Sequence, residues 1–458
     1  MPCLASSSSV KKISALLVNL CRLVLALTLI LSGFVKAIDP LGTQYKIQDY
    51  LSALSMPGLL PDWMTLTMSI VLSALEFSLG IFLLFAIHRR LVSRLTLALM
   101  AIMTVISLWL WIADPISDCG CFGDAVHLTN GQTLLKNLVL LAAAIVVSRY
   151  ALQMVRFISR TNQGIVINYT VVFIVATSVY CLYDLPLFDF RPYHVGADIR
   201  KGMEIPDSAE QPQFETTFIM EKDGVRKEFG LEDYPDSTWT FVDSKTVTVS
   251  EGYQPPIHDF ALERMDTGDD ITDEVLADTS YTFLLVAPLL EYASDSNFGN
   301  IDQIYEYSQD HGYGFYGLTS SDENGIAHWR DLTGAEYPFC QCDATTLKTI
   351  IRSNPGLLLL KNGQVVRKWS HNFLPGADDL TAPLHQLSIG GLPEENAMSK
   401  IVKILLYFVV PLGILTIADR LWAWTRWLQR RRNRLRRKSS ETSAASESSE
   451  SSETSETT

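Results

Sequence analysis

Two cysteines separated by a single glycine, Cys119 and Cys121, are the residues of this sequence best suited to chemistry. They lie in a short loop, residues 118–124, which also contains Gly123 and an aspartate at either end. Two thiols this close can form and break a disulfide, and such exchange proceeds by thiolate attack through a mixed disulfide. The spacing therefore predicts a redox pair in which both cysteines exchange.

The elements that must position this pair are long apolar runs. Hydrophobic residues make up 48% of the 458 residues, which is high for a soluble protein, and they occur in blocks. Most blocks approach the roughly 20 residues needed to cross a bilayer, and the fourth is the shortest. The sequence predicts six membrane spans, with the cysteine loop between the third and the fourth. They cover residues 13–31, 64–87, 95–112, 134–147, 165–182 and 401–417.

Basic residues indicate the orientation of these spans. Lys11–Lys12, Arg89–Arg94, Arg149–Arg160 and the basic run 430–438 all fall on one side if every block crosses. Positive charge marks the cytoplasmic side, so both termini are predicted to be cytoplasmic, in a bacterial inner membrane. The cysteine loop and residues 184–399 are then extracytoplasmic.

Charge separates the chain in the same way. Residues 184–399 contain 37 Asp and Glu against 14 Lys and Arg, whereas the rest of the chain is net basic. An acidic external part and a basic cytoplasmic rim argue against nucleic-acid binding. The expected partners are membrane lipid and an exported or periplasmic client protein.

Two charges lie deep within predicted spans, Arg22 in the first and Glu76 in the second. Counted from the outer ends of their runs, both lie roughly 17 Å deep. Charges at this depth are usually paired, so we expect these two to form an ion pair, either functional or fixing helix order. Lys36, near the outer end of the first span, is the expected cation beside the cysteine loop, where an ammonium would favour a thiolate. Asp118 and Asp124 would oppose it.

The first four spans resemble the DoxX/MauE family of four-helix membrane proteins over residues 10–150. The resemblance rests on Arg22, on Ser32-Gly33 with Lys36 and Asp39-Pro40, on Glu76, and on Cys119-Gly120-Cys121-Phe122-Gly123. It implies a part in supplying or exchanging disulfides for an exported enzyme. This chain departs from the family by adding a fifth span, a large external part and a sixth span. A role in methylamine utilisation therefore does not carry over.

The external part divides at about residue 256. Before it, the strand-like runs 218–220 and 246–249 predict a small antiparallel β unit. After it, strands at 258–262, 281–287, 314–318, 356–360 and 364–369 alternate with helices at 300–309 and 344–351. That order predicts an α/β fold with a mixed sheet.

Residues 256–375 resemble the thioredoxin fold, on the segment 353–363 that contains Pro355. The resemblance implies that Pro355 is the cis proline that faces the active-site cysteines. Those cysteines should follow the strand 281–287, where the chain has Pro288-Leu289-Leu290-Glu291-Tyr292 instead. The usual dithiol is therefore missing from this domain.

Three further cysteines are candidate relay thiols. Cys340 and Cys342 form a second pair one residue apart, and Cys181 ends the fifth span. The pair could close a strained, easily reduced disulfide, or could be one buried thiol and one incidental exposed thiol. Cys181 reads more readily as an inert apolar residue. No metal site is predicted, because two thiols without a nearby histidine or third cysteine do not complete a tetrahedral set.

The predicted fold class is a membrane α-helical bundle joined to an extracytoplasmic α/β thioredoxin-like domain, with a small β unit before it. The predicted domains are a DoxX/MauE-like four-helix domain at 1–160, a fifth membrane helix at 161–184 and the β unit at 185–255. The degenerate thioredoxin-like domain follows at 256–399 and the sixth membrane helix at 400–428. The tail, 429–458, is basic and then rich in Ser and Glu, which predicts disorder.

Two functions remain open at this point. In the first, the protein is a membrane thiol–disulfide oxidoreductase that uses Cys119 and Cys121, with a quinone as the candidate cofactor. In the second, it is a non-enzymatic assembly protein whose thioredoxin-like domain binds a client beside Pro355, and the Cys119–Cys121 bond only staples its loop. A transporter is a distant third, because no repeat or pair of broken helices is visible.

Overall fold

The computed structural model describes residues 3–116, 119–206, 209, 213–222, 225–229, 240–250, 253–394 and 397–453. The chain separates into two compact units. A helical unit comprises Met1–Phe188 and Glu395–Thr458, and a second unit comprises Asp189–Glu394.

Six helices of the helical unit are long and apolar enough to cross a membrane, as the sequence predicts. The spans are longer than the apolar runs; the first, for example, continues to Ile38. Many of their large apolar side chains are exposed in the unit, as lipid-facing helices require. The helices are α1 (Cys3–Ile38), α3 (Asp62–Phe85), α4 (Arg89–Ala113), α5 (Asn130–Arg149), α6 (Gln163–Tyr183) and α12 (Ala397–Glu453), with the short α2 (Pro40–Ala53) between the first two.

Helices α1 and α3 pack closely because two glycines lie at their contact. A methyl group on Gly33 would meet the backbone of Ser73 and Phe77, and one on Gly80 would meet the backbone of Ala26. Small residues at such positions let membrane helices approach each other. The contact sets the register in which polar residues of α1 meet those of α3.

Pro40 begins a helix as well as following the end of one. Helix α1 stops at Ile38, and the Asp39 carboxylate caps α2 by accepting a hydrogen bond from the Gly42 amide. Proline suits the first helical turn, because the amide that it lacks would have no helical partner there. In the sequence, Pro40 indicates the end of α1 but not the start of α2. Helix α2 covers part of the loop between the first two spans.

The C-terminal helix α12 is tied to the loop before α6. Asp419 accepts hydrogen bonds from the Ser159 amide and hydroxyl and from the Asn162 side chain. The tail predicted to be disordered is helical as far as Glu453, and no Gly or Pro after Gly413 interrupts this helix.

The second unit contains a small three-stranded sheet, as predicted. Its strands β1 (Gln213–Lys222), β2 (Val225–Phe229) and β3 (Thr240–Ser250) pair antiparallel in the order β2-β1-β3. The turn at Asp223-Gly224 lies outside the described residues.

The larger sheet of this unit is mixed, with six strands in the order β4-β7-β6-β5-β8-β9. Strand β5 is buried along its whole length. It pairs parallel with β6 and antiparallel with β8. This order, with a terminal antiparallel hairpin beside the central strand, is the arrangement of the thioredoxin fold. The strands are β4 (Glu263–Arg264), β5 (Tyr281–Ala287), β6 (Gly314–Thr319), β7 (Phe339–Gln341), β8 (Gly356–Lys361) and β9 (Gln364–Ser370).

Helices pack around this sheet, and two predictions need correction. The strand predicted at 258–262 is wrong, because only Glu263–Arg264 pairs with the sheet while Phe260 and Leu262 are buried without strand pairing. The sequence also missed α10, which buries Trp329. The helices are α7 (Ile199–Met203), α8 (Thr272–Ala277), α9 (Phe298–His311), α10 (Glu323–Thr333) and α11 (Ala344–Ile350).

Candidate functional site

The cysteine loop contains a disulfide between Cys119 and Cys121. Their Cα atoms are 5.5 Å apart, and both residues are partly exposed. Gly120 and Gly123 have φ of +59° and +51°, a left-handed backbone that glycine adopts without strain. The sequence thus folds locally into a tight loop that presents both sulfurs.

Two hydroxyl groups from neighbouring helices hold this loop by its backbone. The Tyr50 hydroxyl, on α2, donates to the Cys119 carbonyl at 2.6 Å. Ser32 Oγ, on α1, lies 2.7 Å from the Cys121 carbonyl oxygen. The loop is therefore fixed on both sides of the disulfide, at the end of the bundle where α1 and α2 meet.

A buried ion pair lies directly behind Ser32. Lys36 Nζ donates to both carboxylate oxygens of Glu76, at 2.8 and 2.9 Å, and to Ser32 Oγ at 3.3 Å. Ser32 Oγ also lies 2.7 Å from Glu76 Oε2. A hydroxyl carries one proton, so Ser32 donates either to Glu76 or to Cys121 at any moment. The Glu76 carboxylate and the Cys121 carbonyl thus compete for the hydroxyl proton of Ser32.

The predicted pairing of Arg22 with Glu76 is wrong. The Arg22 guanidinium donates to the Val155 carbonyl at 2.7 Å and lies over the Phe157 ring, whereas Glu76 binds Lys36. Equal distance from the outer helix ends does not make the two side chains neighbours, because the outer ends of α1 and α3 are not level. Ser69 Oγ donates to the Pro40 carbonyl, so about two turns of α3 extend beyond the outer end of α1.

The cation beside the cysteine loop differs from the one expected. Lys36 is neutralised by Glu76, and both side chains are buried. Lys136, on α5, lies 4.5 Å from the centroid of the Phe122 ring and has no ion-pair partner among the described residues. Of Lys36, Glu76 and Lys136, only Lys136 therefore has a charge that no ion pair among the described residues balances. The sequence contains the signal for Lys136, because a lone lysine inside the apolar run of the fourth span is a charge within the membrane, like Arg22 and Glu76.

The candidate relay thiols are all buried and reduced. Burial raises the pKa of Cys340 to about 12 and that of Cys342 to about 11, so neither forms a thiolate near neutral pH. Cys181 is 2% exposed within α6. Because the thiolate is the attacking species, this environment disfavours exchange at all three. Their relay role stays a prediction without support from the geometry.

The thioredoxin-like unit has an exposed tyrosine where its dithiol would be expected. Residues Leu290–Tyr292 form a helical turn after β5, and the Tyr292 side chain is 80% exposed. The Asn354–Pro355 bond is cis, as the sequence predicts, and the Asn354 side chain donates to the Leu289 carbonyl at 2.9 Å. The segment before Pro355 therefore packs against the segment that replaces the cysteines.

Sequence reasoning also missed a buried charge network in this unit. The Asp189 carboxylate accepts from Lys368 Nζ at 2.9 Å and from Arg191 Nε at 2.7 Å. Burial alone would raise the pKa of Asp189, but these two cations lower it to about 2. Asp189 and Arg191 are neighbours in one loop, but Lys368 is 179 residues away on β9, so periodicity could not reveal the network. Among the described residues, no group of three His, Cys, Asp or Glu is arranged to hold a metal ion.

Two family models match parts of the chain. Residues 14–149 match "Methylamine utilisation protein MauE", and residues 214–251 match a domain of unknown function, DUF8463. No curated protein matches the chain.

Several solved structures are similar to the chain. A putative protein disulfide isomerase from Bacteroides thetaiotaomicron is 14% identical, over 25% of this chain and 76% of that one, with a TM-score of 0.21. A putative thiol:disulfide interchange protein DsbE from Chlorobium tepidum is 15% identical, over 32% and 93%, also with a TM-score of 0.21. An uncharacterized conserved protein from Geobacillus kaustophilus is 14% identical, over 30% and 83%, with a TM-score of 0.23.

The resemblance to MauE drawn from the sequence is confirmed by the family match, and the thioredoxin-like fold by the order of the strands. The chain is a multi-pass membrane protein that joins a MauE-like helical domain to an α/β unit of the thioredoxin type.

Proposed function

We propose that this protein is a membrane thiol–disulfide oxidoreductase that exchanges the Cys119–Cys121 disulfide with the thiols of an exported client protein. One observation carries the proposal: a partly exposed disulfide is held by its backbone in front of a buried ion pair among the membrane helices. A loop that only needed a staple would not require charges behind it, and buried charges in membrane spans are costly.

The exchange conserves electrons and protons. A client thiolate attacks one sulfur of the disulfide, which gives a mixed disulfide and releases the other cysteine as a thiolate. The second client thiol, after losing its proton, attacks the mixed disulfide, so the client leaves oxidised and Cys119 and Cys121 remain as a dithiol. Two electrons and two protons have then passed from client to protein. A lipid-soluble two-electron acceptor, such as a quinone, is the expected oxidant that restores the disulfide.

Lys136 would stabilise the thiolate that each attack releases. The charges of Lys36 and Glu76 cancel, so the ammonium of Lys136 is the remaining charge of these three side chains, and it lies over the ring of Phe122, the residue after Cys121. A cation near a thiol lowers its pKa and makes the thiolate a better leaving group.

Ser32 would position the cysteine loop through its hydroxyl group. When Ser32 donates to the Cys121 carbonyl, it fixes the backbone of the reacting cysteine, and when it donates to Glu76 that restraint is released. Ser32 and Glu76 are thus positioning residues, since neither touches a sulfur atom in the structure.

Trapping of the mixed disulfide tests this proposal. Cys121→Ser leaves Cys119 as a lone thiol, whose thiolate can attack the disulfide of an oxidised client; this forms the same mixed disulfide, releases one client thiolate and leaves no second thiol of the protein to resolve the bond. Intact cells are quenched with acid and blocked with a membrane-impermeant maleimide, and adducts are identified after non-reducing electrophoresis. The matched control is Cys342→Ser, which we expect to give no adduct. If neither Cys119→Ser nor Cys121→Ser traps any protein, the proposal fails.

The same reagent tests the expected orientation. The charge clusters favour cytoplasmic termini and an external cysteine loop. After mild reduction of intact cells, the impermeant maleimide should then label Cys119 and Cys121. Labelling only after the membrane is opened would reverse the orientation.

A second candidate is a membrane protein that binds an exported partner without redox turnover. The replaced dithiol in the thioredoxin-like unit favours it, together with exposed Tyr292 beside the segment that precedes Pro355. In that case Tyr292→Ala would weaken partner capture, whereas Cys119→Ser/Cys121→Ser would leave both capture and the oxidation state of the partner unchanged.

A further inference from the structure

The end of the helical unit opposite the disulfide contains a cleft lined by arginines. It has a volume of about 540 Å³ and lies where α3 passes into α4 and where the α5–α6 loop enters α6. Four of its residues are Arg89, Arg90, Arg156 and Arg160, and none of the described residues that line it is acidic. Four like charges around one cleft repel each other unless an anion joins them.

The guanidinium groups are held in place but not satisfied. Arg89 donates to the carbonyls of Leu152 and Met154, at 2.7 and 2.8 Å, so its side chain is fixed at the wall of the cleft. Arg156 and Arg160 act electrostatically on Arg89. The Nε atoms of Arg89 and Arg156 are buried and have no hydrogen-bond partner among the described residues. A buried donor without an acceptor costs free energy, so the hydrogen-bonding capacity of these two guanidinium groups is not used up within the protein.

Helix ends add to the positive potential. Helices α4 and α6 both begin at the cleft, at Arg89 and Gln163, and neither N-cap residue makes a side-chain capping hydrogen bond. The N-terminus of a helix carries partial positive charge and free amides, which favour an anion. The carboxylate of α12 at this end, Asp419, already accepts hydrogen bonds from Ser159 and Asn162.

The walls of the cleft indicate what kind of anion fits. Leu91 and Leu152 line it and are each 58% exposed, and Val155 and Phe157 on the adjoining loop are also exposed. A free ion would leave this apolar surface uncovered, whereas the acyl chains of a lipid would cover it. Arginine binds phosphate oxygens through two parallel N–H groups, which suits a phosphodiester.

A second cleft extends the same surface. It has a volume of about 630 Å³, shares Arg90 and Leu152 with the first, and adds Arg94 and Arg149. None of the described residues that line it is acidic either. From these features we propose that the arginine clefts bind the phosphate headgroup of an anionic phospholipid in the leaflet at this end of the bundle.

Lipid retention by the purified full chain tests the proposal. The protein is extracted in mild detergent, incubated with equal amounts of phosphatidylglycerol and phosphatidylcholine, and analysed by native mass spectrometry. Arg156→Gln/Arg160→Gln should reduce the retained phosphatidylglycerol by at least ~10-fold, because each basic residue near anionic lipid contributes to binding. Arg89 is left intact because it also holds the backbone. The control Arg432→Gln/Arg434→Gln removes the same charge from exposed positions on α12 and should retain lipid like the unchanged protein.

A second variant separates binding from misfolding. Arg156→Lys/Arg160→Lys keeps the charge but loses the paired N–H groups, so retention between the two extremes is expected. The proposal is overturned if both charge-removing variants lose lipid equally, or if phosphatidylcholine is retained as well as phosphatidylglycerol. It is also overturned if inorganic phosphate alone displaces the bound lipid and raises the unfolding temperature as much, since the site would then take a soluble phosphate.

Discussion

The chain has two pairs of cysteines with the same spacing, and their surroundings could hardly differ more. Cys119 and Cys121 are bonded in a partly exposed loop beside a lysine with excess charge. Cys340 and Cys342 are free, buried on and beside a strand of the thioredoxin-like sheet, with thiol pKa values of about 12 and 11. Spacing decides whether two sulfurs can meet, but solvent and charge decide whether they react. The comparison predicts one redox pair and one inert pair.

The largest expected difference between the pairs is in client oxidation. Cys119→Ser/Cys121→Ser should abolish oxidation of the client in cells, since no disulfide remains to be exchanged. Cys340→Ser/Cys342→Ser should leave it unchanged, because those thiols are buried. Client redox state is measured by gel shift after thiol labelling. An equal loss of client oxidation in both double variants would mean that the buried pair also takes part in the exchange.

Alkylation of the reduced protein should separate the pairs by their thiolate populations. At pH 7 a thiol with a pKa of about 12 has a thiolate fraction roughly 1000-fold below that of an ordinary cysteine. The alkylating reagent should therefore react with Cys340 at least ~1000-fold more slowly in the native protein than in the unfolded protein. Its rate should rise about tenfold per pH unit from pH 7 to 10 without a plateau. A plateau below pH 9 would contradict the burial of this pair.

The free energy of unfolding should show that Lys36 and Glu76, behind the cysteine loop, form an ion pair. Glu76→Gln leaves Lys36 buried without its counter-ion and should reduce the free energy of unfolding by roughly 3–5 kcal/mol. The double change Lys36→Met/Glu76→Gln removes both charges and should cost less than the single change. Both are measured by thermal unfolding in detergent. Additive losses would mean that the two side chains do not interact.

The smallest expected effect concerns Lys136. Lys136→Gln removes the ammonium beside Phe122 and should slow the reaction of the reduced Cys119–Cys121 pair with a maleimide by about tenfold at pH 7. Lys136→Arg keeps the charge and should restore most of the rate. The rate of Cys340 serves as an internal reference. If Lys136→Gln and Lys136→Arg react alike, the charge is not what activates the pair.

The sequence predicts most of the fold because hydrophobic patterning is strong in this chain. Six apolar runs become six spans, and the uninterrupted run Tyr281–Ala287 becomes the central strand. The apolar run of the first span ends at Leu31, although α1 continues to Ile38, because Ser32, Gly33 and Lys36 interrupt the apolar pattern. These polar and small residues are buried against α3, an environment that only the tertiary structure supplies.

The candidate site could be predicted only in part. The cysteine pair is visible from spacing alone, and Glu76 from its position in a span. The partner of Glu76 is not visible, because the pairing depends on how far α3 extends beyond α1, and that follows from the close contact of the two helices at Gly33 and Gly80. Ser32 and Tyr50 escape prediction because they bind backbone carbonyls of the loop, and no sequence pattern encodes such contacts.

The redox state of each cysteine pair in intact cells tests the central claim most directly. Cells are shifted between an oxidant and a membrane-permeant reductant, quenched with acid, and the thiols are labelled with one reagent before reduction and another after it. Mass spectrometry of the two peptides then gives the oxidised fraction of each pair. We expect Cys119 and Cys121 to move together between oxidised and reduced forms while Cys340 and Cys342 stay reduced. A Cys119–Cys121 bond that remains fully oxidised under every condition, in a protein whose client is still oxidised, would contradict it.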